Sequence, residues 1–105
     1  MRLKAPFIRL ILKNTYMELE VDDVVVFAES RGRGLYAEIY MGDMGYIYER
    51  GKWLSYDREG RVRPLSEEDL KKLRKLARRL ATLPRYAVLE RLLKAIASAK
   101  LKISA

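Results

Sequence analysis

Cysteine and histidine are both absent from the 105 residues. Their absence excludes disulfides, thiolate and imidazole metal sites, and Ser-His-Asp or Cys-His catalysis, each of which requires a missing residue type. An enzyme built from this chain would have to work with carboxylates, lysine, tyrosine and serine. Glutamine is also absent and Asn14 is the single asparagine, whereas Glu, Lys and Arg are abundant. Such a composition fits selection at high temperature, where amides are labile and ion-pair networks gain in relative worth. No apolar run reads as a membrane span. The segment from Met1 to Leu12 is basic and then apolar, but Arg9 interrupts it and no small-residue cleavage site follows. It reads as mature structure, and the expected location is cytoplasmic.

With half the residues apolar and a third charged, the chain can fold as one domain, 1–105. A domain of this size buries about two-thirds of the surface its unfolded chain exposes. Neither an internal repeat nor a low-complexity segment interrupts it. The formal charge is +8, but it is not evenly spread. Residues 1–57 carry 8 basic and 9 acidic side chains, whereas residues 58–105 carry 14 basic and 5 acidic ones. The whole excess is C-terminal, as expected of a basic face or ridge that meets a polyanion.

From Pro6 to about Glu20, Ile8, Ile11, Leu12, Tyr16 and Leu19 recur every three or four residues, which predicts an N-terminal helix. Phe7, Ile8, Leu10, Ile11 and Leu12 would also suit a buried strand, the competing reading. Next come apolar or alternating runs at Val24–Ala28, Leu35–Met41, Met44–Glu49, Lys52–Tyr56 and Arg61–Arg63, separated by Gly- and Asp-containing turns. Connections this short predict a four- to five-stranded antiparallel meander. Ser66 followed by Glu67, Glu68 and Asp69 announces a helix, because a hydroxyl cap and acids suit a helix N-terminus. Its leucine stripe is interleaved with Lys71, Lys72, Arg74, Lys75, Arg78 and Arg79. Pro84 separates it from a second helix through Val88, Leu92 and Ile96. The expected fold is therefore α+β: residues 1–65 form a helix and a sheet, and residues 66–105 form a basic helical hairpin on one sheet face.

Six of the ten aromatic residues, Tyr36, Tyr40, Tyr46, Tyr48, Trp53 and Tyr56, lie within the meander. Strand alternation sorts them by face. Ile39, Ile47, Leu54 and Val62 are expected on the helix-covered side, with Tyr56. Tyr36, Tyr40, Tyr46, Tyr48, Trp53, Arg61 and Arg63 are expected on an uncovered side. Rings beside guanidinium groups suit single-stranded nucleic acid, whose bases stack while cations neutralise its phosphates. The candidate binding residues are Arg31, Arg33, Tyr36, Tyr40, Tyr46, Tyr48, Lys52, Trp53, Arg61 and Arg63, with Arg31-Gly32-Arg33-Gly34 as a loop that closes over the strand. The same rings could instead pack a subunit interface.

Asp22, Asp23, Glu29, Glu38, Asp43 and Glu49 offer carboxylates for a magnesium-dependent nuclease, but no acid-x-Lys element accompanies them. Gly32-Arg33-Gly34 lacks the Gly-Lys-Ser/Thr continuation of a nucleotide-cradling loop. No catalytic residue, metal site or cofactor is expected.

In its sequence of a leading helix, a Tyr/Trp-bearing meander and a basic Leu-rich tail, the chain resembles the ThermoDBP-related single-stranded DNA-binding proteins of thermophilic archaea. The resemblance implies a non-OB subunit that associates with copies of itself and holds single strands in basic, aromatic-lined clefts. It implies stacking by Trp53, Tyr46 and Tyr48 and phosphate contacts by Arg31, Arg33, Arg61 and Arg63. The expected partners are single-stranded DNA or RNA and a second copy of the chain, with no membrane. The alternative is a basic structural protein, ribosome- or chromatin-associated, that binds RNA or duplex DNA.

Overall fold

The computed structural model describes residues 9–100. Seven strands form one antiparallel sheet in sequence order: β1 (Arg9–Leu12), β2 (Tyr16–Val21), β3 (Val24–Arg31), β4 (Gly34–Met41), β5 (Met44–Glu49), β6 (Lys52–Tyr56) and β7 (Val62–Arg63). Two helices follow, α1 (Glu67–Leu80) and α2 (Ala87–Ala97). The expected N-terminal helix is absent over residues 9–20, which form β1 and β2, while its Pro6–Ile8 portion lies outside the described residues. Met17, Leu19 and Val21 explain the difference. They alternate with Tyr16, Glu18 and Glu20, and all three are buried on one side of the sheet, a period-two signal that outweighs the sparser helical spacing.

Two-residue turns at Asp22-Asp23, Gly32-Arg33, Gly42-Asp43 and Arg50-Gly51 join β2 through β6. The turn at Gly42-Asp43 sets Met41 opposite Met44, and hence Ile39 opposite Tyr46. Cross-strand partners share a face, so this register corrects the expected sorting of the aromatics. Tyr46, Tyr48 and Trp53 lie on the same side as Ile39, under the helices. Ile47, Leu54, Tyr56 and Val62 lie on the open side with Tyr36 and Tyr40. Tyr46 is fully buried and Val62 is 51% exposed, the reverse of the expectation.

The helices cross the strands in opposite senses. α1 starts above β5, where the buried Tyr46 hydroxyl donates to Asp69 Oδ1 at 2.7 Å, and ends beside β2, where Arg79 meets Asp22 at 3.8 Å. α2 starts at the β1–β2 turn and ends above β6, where Trp53 Nε1 donates to the Ala95 carbonyl at 2.9 Å. Leu70, Leu73, Leu76 and Leu80 of α1 and Val88, Leu89, Leu92 and Ile96 of α2 bury one stripe each against the sheet. Ser66 caps α1 in a reciprocal box: its hydroxyl accepts from the Asp69 amide at 3.1 Å, and Asp69 Oδ2 accepts from the Ser66 amide at 2.8 Å. No helix among the described residues is long and apolar enough to cross a membrane.

Candidate nucleic-acid interface

The meander puts the β3–β4 and β5–β6 hairpin tips at the same end of the sheet, next to the C-terminal half of α2. Between them lies a cleft of about 950 Å³ lined by Arg31, Arg33, Tyr36, Tyr48, Arg50, Arg91 and Lys94. Leu35 and Ala95 supply apolar lining, and Glu49 is the one acidic residue there. Five cations from three separate segments thus converge on one concavity. All five are exposed; Arg31 is paired with Glu29, and Arg91 also donates to the Gly34 carbonyl.

Several of these side chains are held in place. Arg31 lies over the Tyr36 ring, 4.0 Å from its centroid, and its Nε donates to Glu29 at 2.6 Å. A cation over an aromatic face is attracted by the ring quadrupole. The hydrogen bond to Glu29 raises the pKa of Arg31, keeping the guanidinium charged. The Tyr36 hydroxyl donates to Glu38; that bond first, then burial and the carboxylate charge, pushes its pKa up to about 12. Tyr36 is therefore a neutral ring at any physiological pH. Arg91 Nη1 donates to the Gly34 carbonyl at 3.2 Å, fastening α2 to the β3–β4 tip. Tyr48 packs at a tilt against Trp53 with ring centroids 5.0 Å apart.

Arg50 has a φ of +55°, in the left-handed region that favours glycine, and is followed by Gly51 at +78°. Tight hairpins of this kind call for positive φ at both central positions, commonly filled by Asn-Gly or Asp-Gly. An arginine here carries backbone strain, and it contributes to the lining of the cleft.

Of the sequence candidates, Arg31, Arg33, Tyr36 and Tyr48 come together in the cleft. Trp53 stands behind Tyr48, and Lys52 begins β6 at the same end, paired across the strands with Glu49. Tyr46 is sealed in the core by Asp69. Tyr40 lies on the open face, donating to Glu38 at 2.9 Å. Arg61 is held by Asp57 at 2.9 Å and Glu59 at 3.3 Å in the β6–β7 turn, at the other end of the sheet, and Arg63 follows it there. Sequence reasoning missed Arg50, Arg91 and Lys94. Arg91, Lys94 and Ser98 follow the helical spacing of one side of α2, which is a legible signal. Their closeness to two hairpin tips is a property of topology.

The open face has a different character. Glu18, Glu29 and Glu38 stand among Tyr16, Phe27 and Tyr36, whose rings meet edge to face at 5.4 and 6.2 Å. Tyr16 donates to Glu18. Carboxylates in the middle of this face repel phosphates, and Tyr36, at its edge beside the β3–β4 tip, is the one ring of the face that also lines the cleft. Among the described residues no group of three or more acidic side chains is placed to hold a metal ion, and the candidate nuclease carboxylates are divided between this face and the turns.

No family model matches the chain, and neither a curated protein nor a solved structure is found to be similar to it.

Proposed function

We propose that the protein binds single-stranded nucleic acid, DNA or RNA, and is not an enzyme. Phosphates sit among Arg31, Arg33, Arg50, Arg91 and Lys94, and bases rest against Tyr36 and Tyr48. The supporting observation is the convergence of five cations and two aromatic rings in one cleft, with one acid, Glu49, in the lining and a second, Glu29, paired with Arg31. A flexible strand can thread a concavity between two hairpin tips and present its base faces to the rings, each stack contributing about 1–3 kcal/mol. A duplex keeps those faces hidden.

Trp53 is the only tryptophan, and it touches the cleft through Tyr48. Titration with oligo(dT) at low salt should give a saturable change in its fluorescence. The log of the affinity should fall linearly with the log of salt concentration, with a slope of about 0.7 per phosphate contacted on a single strand. No change in fluorescence or in oligonucleotide anisotropy would remove the proposal.

A further inference from the structure

We infer that the outer surface of α1 is a second nucleic-acid surface, separate from the cleft, which holds the phosphate backbone of a duplex. Lys71, Arg74, Lys75, Arg78 and Arg79 are exposed along this helix and Lys72 is half-buried; no acid occurs between Leu70 and Leu89. Among the described residues, Arg79 alone of the six has a salt-bridge partner, Asp22. Lys71–Lys75, Arg74–Arg78 and Lys75–Arg79 are like charges one helical turn apart, and such pairs repel. Asp22 beside Arg79 and the first-turn Glu67 and Glu68 offset that repulsion only at the two ends of the row, and a polyanion lying along the helix relieves the rest.

The chemistry of the ridge selects the occupant. α1 carries no aromatic residue, so bases gain nothing there, in contrast to the cleft with Tyr36 and Tyr48. Its leucine stripe is spent on the core, so the helix has no apolar side to insert into a lipid surface. What remains is a band of cations about 12 Å long from Lys71 to Arg79 at the helical rise. Double-stranded DNA presents one charge per about 1.7 Å of its axis, a density that a rigid row of this length can engage at several points. The ridge therefore reads charge and shape without sequence, and together the two surfaces suit a nucleic acid that is part duplex and part single-stranded.

The test is a triple variant, Lys71→Gln with Arg74→Gln and Arg78→Gln. Glutamine is a good helix former and the changes remove like-charge repulsion, so the fold should persist, as circular dichroism can verify. Binding of a random-sequence 20-base-pair duplex and of oligo(dT) is measured by anisotropy over a range of salt. The duplex affinity should fall at least tenfold at low salt, and its log–log salt slope should become shallower by about 2.7, at about 0.9 for each phosphate no longer neutralised. Oligo(dT) affinity should change less than threefold. Unchanged duplex affinity and slope would overturn the inference, as would equal losses for both ligands, which would make ridge and cleft one surface. Retained duplex affinity with a gain of binding to anionic lipid vesicles in the wild type would also overturn it. An Arg33→Ala/Arg50→Gly variant separates the two readings: it should lose oligo(dT) and keep the duplex. If that variant keeps both ligands, the cleft proposal fails and the ridge inference stands on its own result.

Discussion

At the residue scale, Arg50 is where conformation and charge pull in opposite directions. A non-glycine residue at φ +55° costs about 1–2 kcal/mol relative to its relaxed backbone. Arg50→Gly should therefore raise the melting temperature by a few degrees while weakening oligo(dT) binding roughly tenfold, about 1.4 kcal/mol. A stability gain without an affinity loss would assign the strain to the hairpin alone. Tyr46 and Asp69 form the other informative pair. Burial tends to raise the Asp69 pKa, but hydrogen bonds from the Ser66 amide, the Tyr46 hydroxyl and the Ser66 hydroxyl outweigh it, and the net direction is down. A depressed carboxylate stabilises the fold above its ordinary range, and that stability is lost as pH falls through the folded value. Burial first, and then the bond to Asp69, raises Tyr46, whose contribution is present below the ordinary tyrosine range and is lost only as pH rises through its folded value. Tyr46→Phe should thus cost about 1–3 kcal/mol at neutral pH and flatten the acid limb of a stability–pH profile, measured by denaturant titration. An unchanged acid limb would mean that the tyrosine does not hold the carboxylate.

At the element scale, the β1–β2 turn caps a helix far from it in sequence. Tyr86 at the N-cap of α2 makes no side-chain capping bond. Its place is taken by Asn14, whose Oδ1 accepts from the Ala87 amide at 3.2 Å and whose carbonyl accepts from Val88 at 2.9 Å. Asn14→Ala should cost about 0.5–2 kcal/mol, and Asn14→Ser should recover part of it, in thermal unfolding. α1 is the opposite case, because Ser66, the three acids after it and the leucine stripe are local signals, and both its start and its charged outer face were legible from them. The strands from Val24 to Arg63 were legible for the same reason, through turn residues and alternation. The face of each strand was not. It depends on whether a turn has an even or odd number of residues in its ladder, and one step at Gly42-Asp43 reversed the placement of Tyr46, Tyr48 and Trp53. The N-terminal region failed through a genuine conflict of periods. Ile11, Leu12, Tyr16 and Leu19 fit a helix, whereas Met17, Leu19 and Val21 fit a strand, and sheet pairing with Val24, Val26 and Ala28 decided between them.

On the scale of the whole molecule, the C-terminal cations gather in two places among others. Six of the 14 lie on α1, and Arg91 and Lys94 of α2 reach the cleft, where they join three arginines from a half of the chain with no net positive charge. Counting charge along the sequence located the ridge. The cleft was only half visible, because Arg31, Arg33, Tyr36 and Tyr48 stood out by composition while Arg50, Arg91 and Lys94 became partners through the crossing of α2 over two hairpin tips. The acidic, aromatic open face shows the same limit, since its tyrosines and carboxylates are interleaved by register and not by proximity in the chain. If the cleft holds a single strand, oligo(dT) binding at low salt should differ sharply between the wild type and the Arg33→Ala/Arg50→Gly variant. The variant should lose about 100-fold in affinity, near 2.7 kcal/mol, with a shallower salt slope and an intact fold; equal affinity and equal slope for the two proteins would mean that the strand does not lie there.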